Sequence, residues 1–172
     1  MKRHIDLWQE AGHILESVGK GILLTAAAEG SVNTMTIGWG TLGIQWGKPI
    51  FIAFVRESRF TKALLDKNPA FTINIPVGEY DPSILKICGT KSGRDMDKFR
   101  ELGLTPEEPE TITVPGIRQF PLTLECKVIY KQVQDPDAIN PENTDRYYQR
   151  ADQQGDYHTA YYGQITAAYV IE

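Results

Sequence analysis

Residues Leu122 to Lys131 read LTLECKVIYK. Leu122, Leu124, Cys126, Val128 and Tyr130 alternate with Thr123, Glu125, Lys127 and Lys131. A period of two predicts an antiparallel strand, half buried, with apolar side chains on one face and polar ones on the other. Such a strand needs partners, so the fold depends on what the flanking chain offers.

Upstream it offers several. GILLTAAA ends at Glu29-Gly30, a hairpin signal, and SVNTMTIGW returns as a second strand. Gly47, Lys48 and Pro49 break the chain before IFIAFV, and AFTINIP adds another apolar run. Downstream the chain closes on YHTAYYGQITAAYVI. Helical spacing is expected over residues 5 to 18, where Leu7, Trp8, Ala11, Ile14, Leu15 and Val18 recur, with Gly19 and Gly21 ending it. Short helices are expected at Phe60–Leu64, closing near Asn68-Pro69, around Ile84–Ile87, and over Asp95–Leu102. Pro106 to Pro115 reads as an irregular acidic connection. Asp135 to Gln154 reads as a polar excursion with one helical turn around PENTDRYYQ. No internal repeat or low-complexity segment is present. Strands joined by hairpins and punctuated by short helices predict a mainly β chain, a small antiparallel barrel with helices at its ends.

The chain has 172 residues, which suits one domain over 1–172, and 41% of them are hydrophobic, enough for a core. A net charge of -4 argues against a general nucleic-acid binder without excluding a local basic pocket. Asp6 and Glu10 interrupt the N-terminus before an apolar core forms, so no signal peptide is expected there. No apolar run approaches the ~20 residues of a membrane helix. Two cysteines, Cys88 and Cys126, are too few for a disulfide framework. A reduced, cytoplasmic protein with free thiols is the expectation.

Gly38-Trp39-Gly40-Thr41-Leu42-Gly43 fits the dinucleotide pattern literally, but turn and strand follow it where that pattern needs a helix. No Rossmann site is expected. In RESRFT, Arg56, Ser58, Arg59 and Thr61 crowd a strand-to-helix junction. Such a group suits a phosphate. Alone, it reads better as a Ser58 cap flanked by solvated arginines. CGTKSGRDMDKF sets Lys91, Ser92, Gly93, Arg94 and Lys98 in a compact loop before a helix, with Asp95 and Asp97 available to neutralise them. Two hydroxyl-plus-base loops in one acidic chain suggest a shared anion. VNTMTIGWG places Asn33, Met35, Thr36 and Trp39 on one strand, either as core packing or as company for a planar cofactor. His158 opens the last strand. No HExxH, paired CxxC or acidic ligand cluster suggests a metal, and no nucleophile has a recognisable base.

Together NTMTIGWGTLGIQWGKP, VRESRFT, FTINIP, CGTKSGRDMDKF, FPLTLECKV and DYHTAYYGQI resemble the flavin reductase-like family with an FMN-binding split barrel, in its flavoredoxin-like branch, from about Gly19 onward. The resemblance implies an antiparallel split β-barrel, a homodimer and one FMN per subunit near the dimer interface. It implies that Asn33, Met35, Thr36 and Trp39 flank the flavin ring. Arg56, Ser58, Arg59 and Thr61 would take the phosphate. Cys88, Gly89, Lys91, Ser92 and Lys98 would close over the ribityl-phosphate, and His158 matches the histidine that opens the family's last strand. The implied activity is electron transfer through FMN from NADH or NADPH to a small-molecule or protein acceptor, without a protein acid–base dyad. A carrier reduced by a protein partner and a non-catalytic cofactor-binding barrel are the alternatives. The excursion at 135–154 departs from the family pattern.

Overall fold

The computed structural model describes residues 1–149 and 154–172. Residues 150–153 of the expected excursion lie outside the described residues. The strands are β1 (Lys2–His4), β2 (Ile22–Ala28), β3 (Ser31–Ile37), β4 (Gly40–Gln45), β5 (Lys48–Arg56), β6 (Ala70–Ile75), β7 (Pro106–Glu107), β8 (Gly116–Ile117), β9 (Leu122–Val133) and β10 (His158–Ile171). The helices are α1 (Ala11–Lys20), α2 (Phe60–Lys67), α3 (Pro82–Thr90), α4 (Lys98–Glu101) and α5 (Pro141–Tyr147), with a 3-10 turn at Pro136–Ala138.

One sheet runs β3-β2-β6-β9-β10-β5-β4, with β1 added to the end of β10, and every pairing is antiparallel. β3 comes back to touch β5, giving a mainly β, antiparallel split barrel with short helices around it. Two tight turns hold the hairpins. Glu29 and Gly30 both have positive φ (52° and 77°), as do Trp46 and Gly47 (51° and 69°). Two successive left-handed residues match the right-handed twist of the strands they join. β4, which the sequence reading leaves unassigned, is created by the second of these turns. Lys48 and Pro49, expected as a break, are instead the first residues of β5.

Inward residues of the strands make one core: Leu24, Met35, Phe51, Val55, Phe71, Ile73, Leu124 and Tyr161 among them. Each such large side chain contributes roughly 1.5–3 kcal/mol on burial. Gly163 sits at a register shift between β10 and β9, where an added Cβ would lie 2.5 Å from the Phe71 ring and 2.7 Å from Cys126. A second cluster lies outside the sheet, where α3, α4 and the 104–120 segment cover Leu23 with Leu85, Cys88, Phe99, Ile117 and Phe120.

Two further expectations are corrected. The first helix begins at Ala11 rather than at residue 5, because residues 2–4 pair with β10 and the Asp6 carboxylate accepts the Trp8 N–H at 2.9 Å, turning the chain. Leu7 is buried by that turn, while Trp8 and Leu15 are exposed. The other concerns β9, which is nowhere half buried by alternation: Lys127 onward is partly or fully exposed, Tyr130 included. From Leu122 to Cys126 both faces are buried, Glu125 included.

Candidate functional site

β5 ends at Arg56, and α2 begins at Phe60, so RESR forms the corner between them. A corner points successive side chains in different directions. Arg56 donates to the carbonyls of Asp156 (2.6 Å) and Tyr147 (3.2 Å), and its guanidinium lies over the Tyr148 ring. Ser58 donates both its N–H (2.9 Å) and its hydroxyl (2.6 Å) to the Asp156 carboxylate. These two residues therefore fasten the chain around Tyr147 and Asp156 to the barrel. The N-cap of α2 is Arg59, with no side-chain cap, so Ser58 does not cap.

The other side of the corner turns toward the 91–97 loop. Arg59 donates to the Gly89 carbonyl (3.2 Å), and Arg94 donates to the Ser58 carbonyl (3.0 Å) while lying over the Phe60 ring. Thr61, buried, accepts a hydrogen bond from Asn33 Nδ2 at 2.8 Å. Gly93 is packed so closely that an added Cβ would meet Asn33 Oδ1 at 2.3 Å, so only glycine lets the loop seal against β3. Lys98 opens α4 and is 3% exposed; its ammonium donates to the carbonyls of Thr34 (2.9 Å) and Cys88 (3.0 Å). Asp97, expected to neutralise the loop, accepts the Arg100 N–H and caps α4.

These elements form a cleft of about 210 Å³ lined by Asn33, Met35, Ser58–Thr61, Thr90–Arg94 and Lys98, with no carboxylate on its walls. Among the described residues, none of Arg59, Lys91, Arg94 and Lys98 has an ion-pair partner. Burial lowers the pKa of Lys98, and the nearby Arg59 adds to the effect. A cluster of cations without counter-charge, one of them buried, has the chemistry of an anion site.

A second space of about 150 Å³ adjoins the first at Met35 and Arg59. Its walls are Met35–Trp39, Phe54, Arg56, Arg59 and His158. β3 is the edge of the sheet, so half of its backbone groups are unpaired by strands. The Thr36 hydroxyl is occupied, donating to the Leu85 carbonyl at 2.6 Å. Trp39 stands at the mouth, with its ring 4.9 Å from His158 and 5.0 Å, edge-on, from Tyr147 of α5. His158 is buried, and its Nδ1 lies 2.8 Å from the Tyr148 hydroxyl. Burial, aided by Arg56, lowers the His158 pKa to about 4, so the ring is neutral at neutral pH.

Of the residues singled out in the sequence, Asn33, Met35, Thr36, Trp39, Arg56, Ser58, Arg59, Thr61, Lys91, Ser92, Lys98 and His158 line one of the two spaces. Gly89 contributes its carbonyl to Arg59. Cys88 points the other way into the outer cluster, where burial pushes its thiol up to about 11. Phe54 and Phe60 were missed. Phe54 shares a strand face with Arg56, a period-two signal that pointed to it. Among the described residues no cluster of three or more His, Cys, Asp or Glu side chains is arranged for a metal, and no helix is long and apolar enough to cross a membrane.

The family described as flavin reductase like domain matches residues 16–172. The chain is 30% identical over 105 residues to an uncharacterized protein of Archaeoglobus fulgidus, a match covering 61% of this chain and 58% of that protein. Among solved structures it resembles the flavoredoxin of Desulfovibrio vulgaris (TM-score 0.67, 26% identity, 88% of this chain and 69% of that one). It also resembles an FMN-binding domain of a flavin reductases-like enzyme from Shewanella baltica (TM-score 0.67, 18% identity, 99% of this chain and 77% of that one).

Proposed function

The chain belongs to the flavin reductase-like family, and from that premise we propose that its cleft binds FMN and that the protein is an FMN-dependent oxidoreductase. The observation that carries this reading is the pairing of two unlike spaces. One holds four cations and no carboxylate, and the other is walled by Trp39, Met35 and Phe54 beside a free strand edge. A phosphate monoester fits the first and a flat heteroaromatic ring the second. The donor set therefore fits FMN.

In this reading Arg59, Lys91, Arg94 and Lys98 neutralise the phosphate, with the hydroxyls of Ser92 and Thr61 beside them. Asn33 holds Thr61 in place. The unpaired edge of β3 near Thr36 supplies backbone groups to the ring's polar rim, while Met35 and Trp39 pack against its face. Arg56 and Ser58 fix the wall that carries Tyr147. Bound FMN supplies hydride and single-electron chemistry. The chain's part is to hold the ring, exclude water and offset negative charge.

Trp39 is 39% exposed, leaving the mouth of the ring space open to a donor, for which we propose NADH or NADPH. The name of the Desulfovibrio relative supports a second reading, a carrier reduced by a protein partner. A homodimer is part of the proposal and is checked by sedimentation mass. Both cysteines are free and buried, in keeping with a reducing compartment such as the cytoplasm.

The deciding experiment is the visible spectrum of the purified protein reconstituted with FMN, before and after anaerobic NADH or NADPH. Flavin bands that bleach with either nucleotide support the reductase. Bands that persist with both favour the carrier, and a protein that takes up no FMN overturns the reading.

A further inference from the structure

Tyr148 and Gln134 bind one another and His158 in an arrangement that leaves a single distribution of protons. The backbone N–H of His158 is an obligate donor, and it points at a side-chain atom of Gln134 at 3.1 Å, so that atom is the amide oxygen Oε1. The Tyr148 hydroxyl donates to the same oxygen at 3.0 Å. Its one proton is thereby committed. The 2.8 Å contact between Tyr148 and His158 Nδ1 must then have the ring nitrogen as donor. A neutral His158 that donates from Nδ1 has a bare lone pair on Nε2. Among the described residues Nε2 has no hydrogen-bond partner, and His158 lines the cleft.

We propose that Tyr148 is a positioning residue. It locks His158 as the Nδ1–H tautomer, so that Nε2 acts only as an acceptor in the cleft and selects a ligand carrying an uncharged amide-type N–H at that point. The selection rests on the reading of the cleft as a flavin site; the lock does not. His158 and Phe54 also line a further space, of about 450 Å³, shared with Ile139 and Asn143. A ligand atom held by Nε2 would lie where the two spaces adjoin. Two donors have the right chemistry there: the imide N–H of a flavin ring and the carboxamide of a nicotinamide. Tyr148 belongs to the excursion, stacks on Tyr157 at 4.8 Å and lies under Arg56, so the lock is built by the segment that departs from the family pattern.

The test is long-range proton–nitrogen NMR on the full chain with 15N-labelled histidine at neutral pH, without ligand, with FMN, and with FMN plus oxidised nicotinamide nucleotide. Unliganded protein should show His158 protonated at Nδ1 and bare at Nε2. FMN that shifts Nε2 identifies the imide as the donor; a shift only on adding nucleotide identifies the carboxamide. Tyr148→Phe keeps the ring stack and removes the hydroxyl, and Gln134→Met frees the Tyr148 proton to donate to Nδ1. Both should move the proton to Nε2 and weaken the responsible ligand roughly tenfold, because two donors then face each other. Wild-type His158 protonated at Nε2 would overturn the lock. A locked His158 whose Nε2 responds to neither ligand, in protein that binds FMN, would overturn the selection. Protein that binds no flavin yet shows the lock would sink the flavin reading and spare the tautomer.

Discussion

Lys98 places a largely buried ammonium where no carboxylate offsets it. Two carbonyl hydrogen bonds leave one N–H unused. Lys98→Met keeps the stem and removes charge and donors together. The lost hydrogen bonds and the relieved desolvation oppose each other, so unliganded stability should change by less than about 2 kcal/mol. Calorimetry should show FMN weakened roughly 10- to 100-fold while riboflavin, which has no phosphate, is nearly unaffected. Equal losses for the two ligands would remove Lys98 from the phosphate site. The residue type and its neighbourhood were legible in CGTKSGRDMDKF. Its burial was not, because the Thr34 and Cys88 carbonyls that enclose it come from β3 and α3. RESRFT shows the same limit. Its residues read as one phosphate-binding group, yet Arg56 and Ser58 turn to Asp156 while Arg59 turns to Gly89. Which way a corner residue points depends on backbone angles that short-range chemistry does not determine.

Among the elements, β9 best shows what periodicity carries. The alternation of LTLECKVIYK correctly separates the core side, Leu122, Leu124 and Cys126, from the side holding Thr123 and Glu125. Whether the second side meets water depends on a distant segment, and here residues 104–120 cover it. Glu125 anchors that cover. Its carboxylate accepts the N–H groups of Glu110 and Thr111 (2.7 Å each), the Thr111 hydroxyl (2.7 Å) and the Tyr169 hydroxyl (2.8 Å). Burial alone would raise its pKa, but these donors outweigh it and the net shift is downward. Glu125→Gln turns an amide NH2 toward donors that need an acceptor. The expected loss is about 2–4 kcal/mol in urea unfolding, with faster hydrogen exchange at Glu110 and Thr111. An unchanged midpoint would mean that the cover is held by apolar contacts such as Ile117 and Phe120 alone. FMN affinity should be retained, since Glu125 lies outside the cleft.

Across the whole molecule, acid should weaken the fold in two stages, because two groups whose folded pKa lies below the ordinary value titrate in different pH windows. His158 has an ordinary value of 6.5 that burial lowers to about 4 in the folded chain. The unfolded chain therefore binds this proton first. Stability is fully present above about pH 6.5 and declines as pH falls toward 4, by on the order of 2–3 kcal/mol. Asp66 follows at lower pH. Its burial is outweighed by hydrogen bonds from Lys62, Lys131 and Tyr161, which tie α2 to β9 and β10, and its pKa falls from 3.8 to about 2. Its contribution is present above about pH 4 and is lost as pH falls through 2. Urea midpoints measured from pH 8 down to pH 3 should thus drop first between 6.5 and 4, then again below. The chain has three histidines, so the first drop needs assignment. His158→Asn removes the titrating ring and should flatten the profile between pH 6.5 and 4 while leaving the lower step. A variant that keeps the first drop would place it elsewhere in the molecule and imply that His158 protonates freely in the folded chain. That result would also weaken the case for a ring closed in by Trp39, Tyr148 and Arg56, since only a shielded imidazole resists protonation at pH 5.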